Sequence, residues 1–422
     1  MNSDNYIQRI VENYAFDDNL TGRHMVFLAG PRQVGKTMLA RQWLNKKHCD
    51  PLYFNWDDIK IRQSYFSDSR FFESSARTLG IQDPWIVFDE IHKRSHWRDI
   101  LKGVYDLFKD DFRFLITGSA RLDLFRRSGD SLVGRYNLFH LMPLNISEVI
   151  GKTDQDCFLK EKDPVKLAKI FKDKIEDPTG QDVIDAYKCL RQYGPFPEPF
   201  IKQNHRFSRK WHQDYQSLMV RQEIRDISRV MELDKIENLL FLLPSRIMSP
   251  LSMANMAREL EVAHTTVKNW LEQLKRLYLI FPVKTWSKNV ARGLKKEKKW
   301  YFLDWKYAPE GAACLENMTA TYLYRTCLAL EDMGYGAYTL HYLRTLDKKE
   351  IDFIIVHDNK PVMAVEVKSG DTNLSKQLAN RRKWLPDNPT LGIQVVDKRH
   401  ELKKYPDNTW VVSVENLLAL LI

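Results

Sequence analysis

The stretch MVFLAGPRQVGKTMLARQWL, from Met25 to Leu44, constrains this chain more than any other. Met25 to Ala29 reads as a buried strand. The next residues, Gly30-Pro31-Arg32-Gln33-Val34-Gly35-Lys36-Thr37, follow the spacing G-x-x-x-x-G-K-[ST], and Met38 continues into an amphipathic helix. These residue types suit one task. Glycines let backbone N–H groups curve around a phosphate without a Cβ in the way. The helix N-terminus adds the positive end of its dipole. Lys36 is placed to reach the β- and γ-phosphates of a nucleotide, and the Thr37 hydroxyl to ligate Mg²⁺.

Strand and helix patterns alternate through residues 1–150, as a parallel α/β sheet requires. WIVFDEIH, Trp85 to His92, is an apolar strand that ends in Asp89-Glu90. Two adjacent carboxylates at the end of a buried strand need a reason, because burying charge is costly. Beside a phosphate-binding loop, Asp89 would hold Mg²⁺ with Thr37, and Glu90 would polarise the attacking water. RFLITGSA, Arg113 to Ala120, ends in Thr117 and Ser119; either one, Ser119 by preference, would sense the γ-phosphate, or Gly118-Ser119 is simply a turn dipeptide. Arg135 precedes a last strand, where it is either an arginine finger toward a neighbouring subunit or a solvated side chain.

A chain of 422 residues, 44% hydrophobic and 28% charged, is expected to fold as several domains. No apolar run is long enough to cross a membrane, and MNSDNYIQRIVENY lacks the pattern of a signal peptide. The five cysteines have no metal-finger spacing and read as reduced thiols of a cytoplasmic protein. A net charge of +10 favours a polyanionic partner.

Residues 151–247 read as a helical linker or lid, with an exposed, Lys- and Asp-rich insertion near Gly151 to Asp182. MVRQEIRDISRV, Met219 to Val230, reads as a solvated helix face. Residues 248–303 resemble a winged helix-turn-helix: two short helices, then a basic hairpin. Lys268, Lys275, Arg276, Arg292, Lys295 and Lys296 would meet phosphates there, unless the module serves protein packing.

Residues 304–422 hold a second constellation. Asp352 lies on the strand IDFIIV. A turn at His357 to Lys360 reverses the chain, and Glu366 and Lys368 share one face of the next strand. Asp352 and Glu366 together would bind Mg²⁺, with Lys368 positioning water or neutralising a transition state. Glu316, which opens the helix pattern LENMTATYLYRTCLAL earlier in the chain, would add an acid from across the site.

GPRQVGKT, IVFDEIH, LITGSA and LVGR, in this order, resemble the AAA+-type P-loop ATPases of bacteria and archaea. YGPFPEPF, Tyr193 to Phe200, resembles a segment that recurs in the subgroup with a nuclease-like C-terminal domain. The order Glu316, Asp352, Glu366-x-Lys368 resembles the PD-(D/E)XK nucleases of restriction-endonuclease-like fold, and Gln377 matches a polar position of some members. The resemblance implies an α/β multidomain protein: a parallel AAA+-type sheet, a helical linker, a winged helix and a restriction-endonuclease-like domain. It implies ATP and Mg²⁺ as cofactors, DNA as partner and possible homo-oligomers. The expected function is an ATP-controlled, metal-dependent nuclease or DNA-processing factor. The alternative is an ATP-dependent switch whose nuclease-like domain binds DNA or a protein without cutting.

Overall fold

The computed structural model describes residues 6–118, 132–154, 156–177, 179–224, 233–287, 297–385 and 390–422. They form two compact units, Met1–Met142 and Pro143–Ile422.

The first unit is built on β1 (Met25–Ala29), β2 (Tyr53–Asn55), β3 (Trp85–Asp89), β4 (Arg113–Thr117) and β5 (Tyr136–His140). Their order is β2-β3-β4-β1-β5, and every pairing is parallel. Parallel neighbours need covered crossovers, which helices α1 (Lys36–Lys46) and α2 (Trp97–Phe108) help to supply. The apolar runs of β1 and β3 are buried throughout. Phe72, Phe88, Phe108 and Phe114 pack edge-on or stacked on one side of the sheet. Sequence neighbours β1 and β2 are separated in the sheet, so the loop after β1 sits where the order reverses. Ligands of open α/β sheets bind at such a point, beyond the carboxyl ends of the strands.

The second unit carries one eight-stranded mixed sheet. Its strands are β6 (Ile280–Thr285), β7 (Lys299–Phe302), β8 (Tyr338–Arg344), β9 (Glu350–His357), β10 (Lys360–Lys368), β11 (Leu391–Val396), β12 (Leu402–Tyr405) and β13 (Thr409–Ser413). The order is β12-β13-β11-β10-β9-β8-β6-β7. The helices that matter below are α3 (Pro164–Ile175), α4 (Gln181–Tyr193), α5 (His205–Leu218), α6 (Met253–Glu259), α7 (His264–Arg276) and α8 (Ala312–Asp332).

The packing differs from the four-part division at 150, 247 and 303. Residues 143–150 go with the second unit because their capping box, Asn145 with Glu148, docks on α8. There the Ile146 N–H donates to the Tyr322 hydroxyl (3.1 Å), and Arg325 pairs with Glu148 (2.8 Å) and bonds the Pro143 carbonyl. The expected boundary at 303 runs through the sheet: β6 pairs antiparallel with β7 and parallel with β8. The Lys-rich stretch expected to be exposed also packs. Leu167, Phe171 and Ile175 form a buried stripe on α3, and Phe171 meets Trp410 edge-on at 5.9 Å. Met219, Val220 and Ile224 turn inward within a π-helical segment, so that stretch is not a wholly solvated face.

Arg325→Met should destabilise the second unit by about 3–5 kcal/mol, the usual cost of leaving one partner of a buried ion pair. Chemical denaturation monitored by circular dichroism checks this; a loss under ~1 kcal/mol would mean that the pair is incidental.

Candidate functional site

The loop 30–35 owes its shape to two glycines. Gly30 has φ 149°, and a Cβ there would run into the backbone carbonyl oxygen of Leu141. Gly35 has φ 106° and caps α1 in a left-handed conformation. Arg9 supports the loop from beneath: it is buried, and its guanidinium donates to the carbonyls of Val34 (2.9 Å) and Met142. Pro31 and Val34 are buried, Arg32 and Met38 are half-buried, and Gln33 is exposed at φ 60°. The Lys36 ammonium is buried inside the loop and donates to the carbonyls of Gly30 (3.0 Å) and Pro31 (2.6 Å).

Asp89 is 3% exposed, and hydroxyls satisfy its charge. Thr37 donates to Oδ2 (3.0 Å), Tyr53 donates to the same oxygen, and Thr117 donates to Oδ1 (2.5 Å). Glu90 follows at φ 59°, an uncommon conformation for a non-glycine residue and one that recurs at functional sites. Burial raises the Glu90 carboxyl above its ordinary value, against the pull of Lys93, which lies 3.3 Å from Oε2. Lys93 is also held by Asp57 (2.6 Å). The expected pairing of Thr37 with Asp89 and the neighbouring position of Glu90 are thus present. Of the two candidate sensors, Thr117 touches Asp89, whereas Ser119 lies outside the described residues. Arg135 makes a two-pronged contact with Asp106 (2.8 and 3.1 Å). The cradle set by Gly30, the cation of Lys36 and the Thr37–Asp89 contact fit a nucleotide triphosphate with Mg²⁺.

In the second unit, β9 and β10 pair as Val365↔Phe353 and Ala364↔Ile354. Continuing that register sets Glu366 opposite Asp352, and the Val367 N–H donates to Asp352 Oδ2 (2.8 Å). The Lys368 ammonium lies 2.8 Å from Glu366 Oε1. Glu316, in the second turn of α8, is 2% exposed and accepts from the Tyr301 hydroxyl (2.7 Å). Gln377 reaches the same neighbourhood through Ser375, whose hydroxyl bonds Gln377 Oε1 (3.1 Å) and Glu366 Oε1 (3.4 Å).

Sequence reasoning missed Lys299, the residue at the centre. It is 1% exposed on β7, with its ammonium 2.5 Å from Glu350, 3.5 Å from Glu316 and 4.0 Å from Asp352. It closes the run KKEKKW, which reads as a surface hairpin. Glu350 had a usable signal, because it shares a strand face with Asp352. Among the described residues, no cluster of three or more His, Cys, Asp or Glu is arranged to hold a metal. Two carboxylates remain as candidates. Glu366 Oε2 is buried and receives no hydrogen bond of ordinary geometry from the described residues, which fits a cation held by Glu366 and Asp352. Of the basic residues expected on the winged module, Lys268, Lys275 and Arg276 lie on α7, while Arg292, Lys295 and Lys296 lie outside the described residues.

With this geometry in place, three family models match. Residues 22–150 match an AAA domain, residues 185–305 a domain of unknown function (DUF8612), and residues 314–417 another (DUF4143). The first unit is therefore an AAA-type P-loop ATPase domain in its general class. The chain is 23% identical over 377 residues to the uncharacterized protein MJ1544 of Methanocaldococcus jannaschii, covering 85% of this chain and 78% of that one. It is 24% identical over 408 residues to MJ1637 of the same organism, with 87% and 79% covered. The uncharacterized protein Rv2008c of Mycobacterium tuberculosis is 22% identical over 280 residues, with 66% and 54% covered. Among solved structures, Aeropyrum pernix ORC1 in complex with DNA matches with TM-score 0.30 and 13% identity, over 66% of this chain and 83% of that one. The replication initiator DnaA, bound to AMPPCP and single-stranded DNA, matches with TM-score 0.30 and 16% identity, over 64% and 90%. At that TM-score neither likeness bears on function. No helix among the described residues is long and apolar enough to cross a membrane.

Burial pushes Glu316 and Glu366 each up to about 7, and Asp352 adds to both shifts. A carboxyl group with a raised folded pKa keeps its proton longer in the folded chain. Stability then falls as pH rises from the ordinary 4.5 toward about 7. Thermal melts of the parent across this window should show that fall, and Glu366→Gln should flatten it. A variant with the parent's slope would remove Glu366 as its source.

Proposed function

We propose that this chain hydrolyses ATP in its first unit and carries a metal-dependent, nuclease-like site for nucleic acid in its second. The observation that carries the ATPase reading is the Asp89 carboxylate, fixed on Thr37 at the mouth of a loop whose curvature needs Gly30. In this reading Lys36 exchanges its two loop carbonyls for the β- and γ-phosphates of ATP. Mg²⁺, when bound, supplies charge neutralisation of the phosphates. Thr37 and Asp89 hold the cation, and Glu90 orients water and draws off its proton. Burial works against the ionised, basic form needed here, and Lys93 beside it favours that form. Thr117, on Asp89, or Ser119 would report on the phosphate end. Arg135 acts as a finger toward another subunit only if it leaves Asp106.

The second site is supported by Asp352 and Glu366 meeting across the β9–β10 pair, with Lys368 on Glu366. Those carboxylates would hold a divalent cation, which supplies Lewis-acid polarisation of a phosphodiester. Lys368 would position the water. A second reading, a nucleotide-driven switch that binds nucleic acid without cutting, is favoured by Lys299. Its ammonium already supplies positive charge to Glu316, Glu350 and Asp352. DNA is the partner proposed in either case, on the basis of the net charge of +10. The free thiols fit a cytoplasmic setting.

Glu90→Gln should retain nucleotide binding and lose about 10²–10⁴-fold in hydrolysis rate. Lys36→Ala should lose both, and normal turnover in either variant would displace the assigned role. For the second site, cleavage of single- and double-stranded DNA and RNA with Mg²⁺ or Mn²⁺, with and without ATP, should require Glu366. Metal binding without cleavage in the parent would favour the switch.

A further inference from the structure

β6 and β8 border a cavity that neither proposed site uses. β6 pairs with β8 only at Lys284↔His341 and Thr285↔Tyr342. Where the strands part, they bound a cavity of about 720 Å³, within the size range of small-ligand sites. Its charge is lopsided: Lys275, Lys284 and Lys360 line it against one carboxylate, Glu331. Lys284 and Lys360 are exposed.

Two flat rings complete the wall. Trp286 packs against the apolar cluster that includes Leu343, Ile354 and Leu385, and it stays partly exposed. Tyr324 is stacked on Phe281, centroids 4.4 Å apart and 7° from parallel, which fixes its plane. His341 also lines the cavity, with its Nε2 3.0 Å from the Thr339 hydroxyl. Burial, aided by Lys284, lowers this imidazole to about 4, so it is neutral near pH 7. Lysines alone would suit any anion, and aromatic rings alone any apolar group. Anchored aromatic planes bordered by lysines suit a base joined to a phosphate, because every base has a face to stack and every nucleotide a charge to neutralise.

We propose that this cavity binds a nucleotide unit, either free or within a single strand, with the base against Trp286 and Tyr324 and the phosphate on Lys284 and Lys360. The proposal shares with the proposed function only its class of partner. Cleavage at Glu366 and binding here are read by different variants.

The test uses the full chain and two probes: a fluorescein-labelled deoxythymidine oligonucleotide followed by anisotropy, and ADP followed by calorimetry in a Lys36→Ala background that removes loop binding. The combined Lys284→Glu and Lys360→Glu variant should lower the affinity of the probe that binds here by about tenfold or more, since neutralised phosphates carry most of such affinity. It should leave ATP hydrolysis without nucleic acid unchanged. Trp286→Phe should remove most of the fluorescence quenching that accompanies binding, and Glu366→Ala should leave binding intact. Sensitivity of the oligonucleotide alone assigns the site to a strand, and sensitivity of ADP assigns it to a free nucleotide. If both probes bind the lysine variant as they bind the parent, or neither binds the parent, the proposal is overturned.

Discussion

One buried carboxylate organises the first unit. Asp89 ends β3, and its charge is tolerable only because hydroxyls surround it. They come from the start of α1, from β2 and from β4, through Thr37, Tyr53 and Thr117. Strands β2, β3 and β4 and the start of α1 are thereby tied to a single point. That point lies beside the loop that Gly30 shapes, so the Thr37 hydroxyl is aimed before any ligand arrives. The chain then turns sharply at Glu90, whose left-handed backbone lifts its side chain from the sheet toward Lys93.

The second unit solves a different charge problem. Glu316, Glu350, Asp352 and Glu366 crowd one region, and Lys299 and Lys368 answer them. Burial raises the Glu316 and Glu366 carboxyls to about 7, so the cluster keeps a proton well above the ordinary carboxylate range. Lys299 comes from β7, paired with β6 at one end of the sheet, whereas Asp352 and Glu366 come from the central strands β9 and β10. The acid cluster and the hairpin are therefore one structural object, not neighbouring domains.

The sequence revealed those parts whose chemistry is written in short, local patterns. The loop 30–37 and the pair Asp89-Glu90 could be placed because strand, turn and helix follow one another directly. Asp352, Glu366 and Lys368 could be placed because a tight turn and an alternation of two determine which faces meet. What stayed hidden depends on distant partners. Arg9 looks like any surface arginine until its guanidinium meets Val34 and Met142. Tyr53 gave no sign that its hydroxyl would reach Asp89. Lys299 sits in a run of lysines that suggests solvent, and only the pairing of β7 with β6 turns it inward. The boundary at 303 failed for a related reason, because local patterns do not reveal that β6 also pairs with β8.

The central claim is that Asp89 and Thr37 form the metal-dependent half of a nucleotide site. It is tested most directly by titrating a fluorescent ATP analogue into the parent and Asp89→Asn, each with and without Mg²⁺. The account predicts tighter binding with Mg²⁺ in the parent and little or no Mg²⁺ effect in Asp89→Asn. Equal Mg²⁺ dependence in both proteins, or no nucleotide binding by the parent, would contradict it.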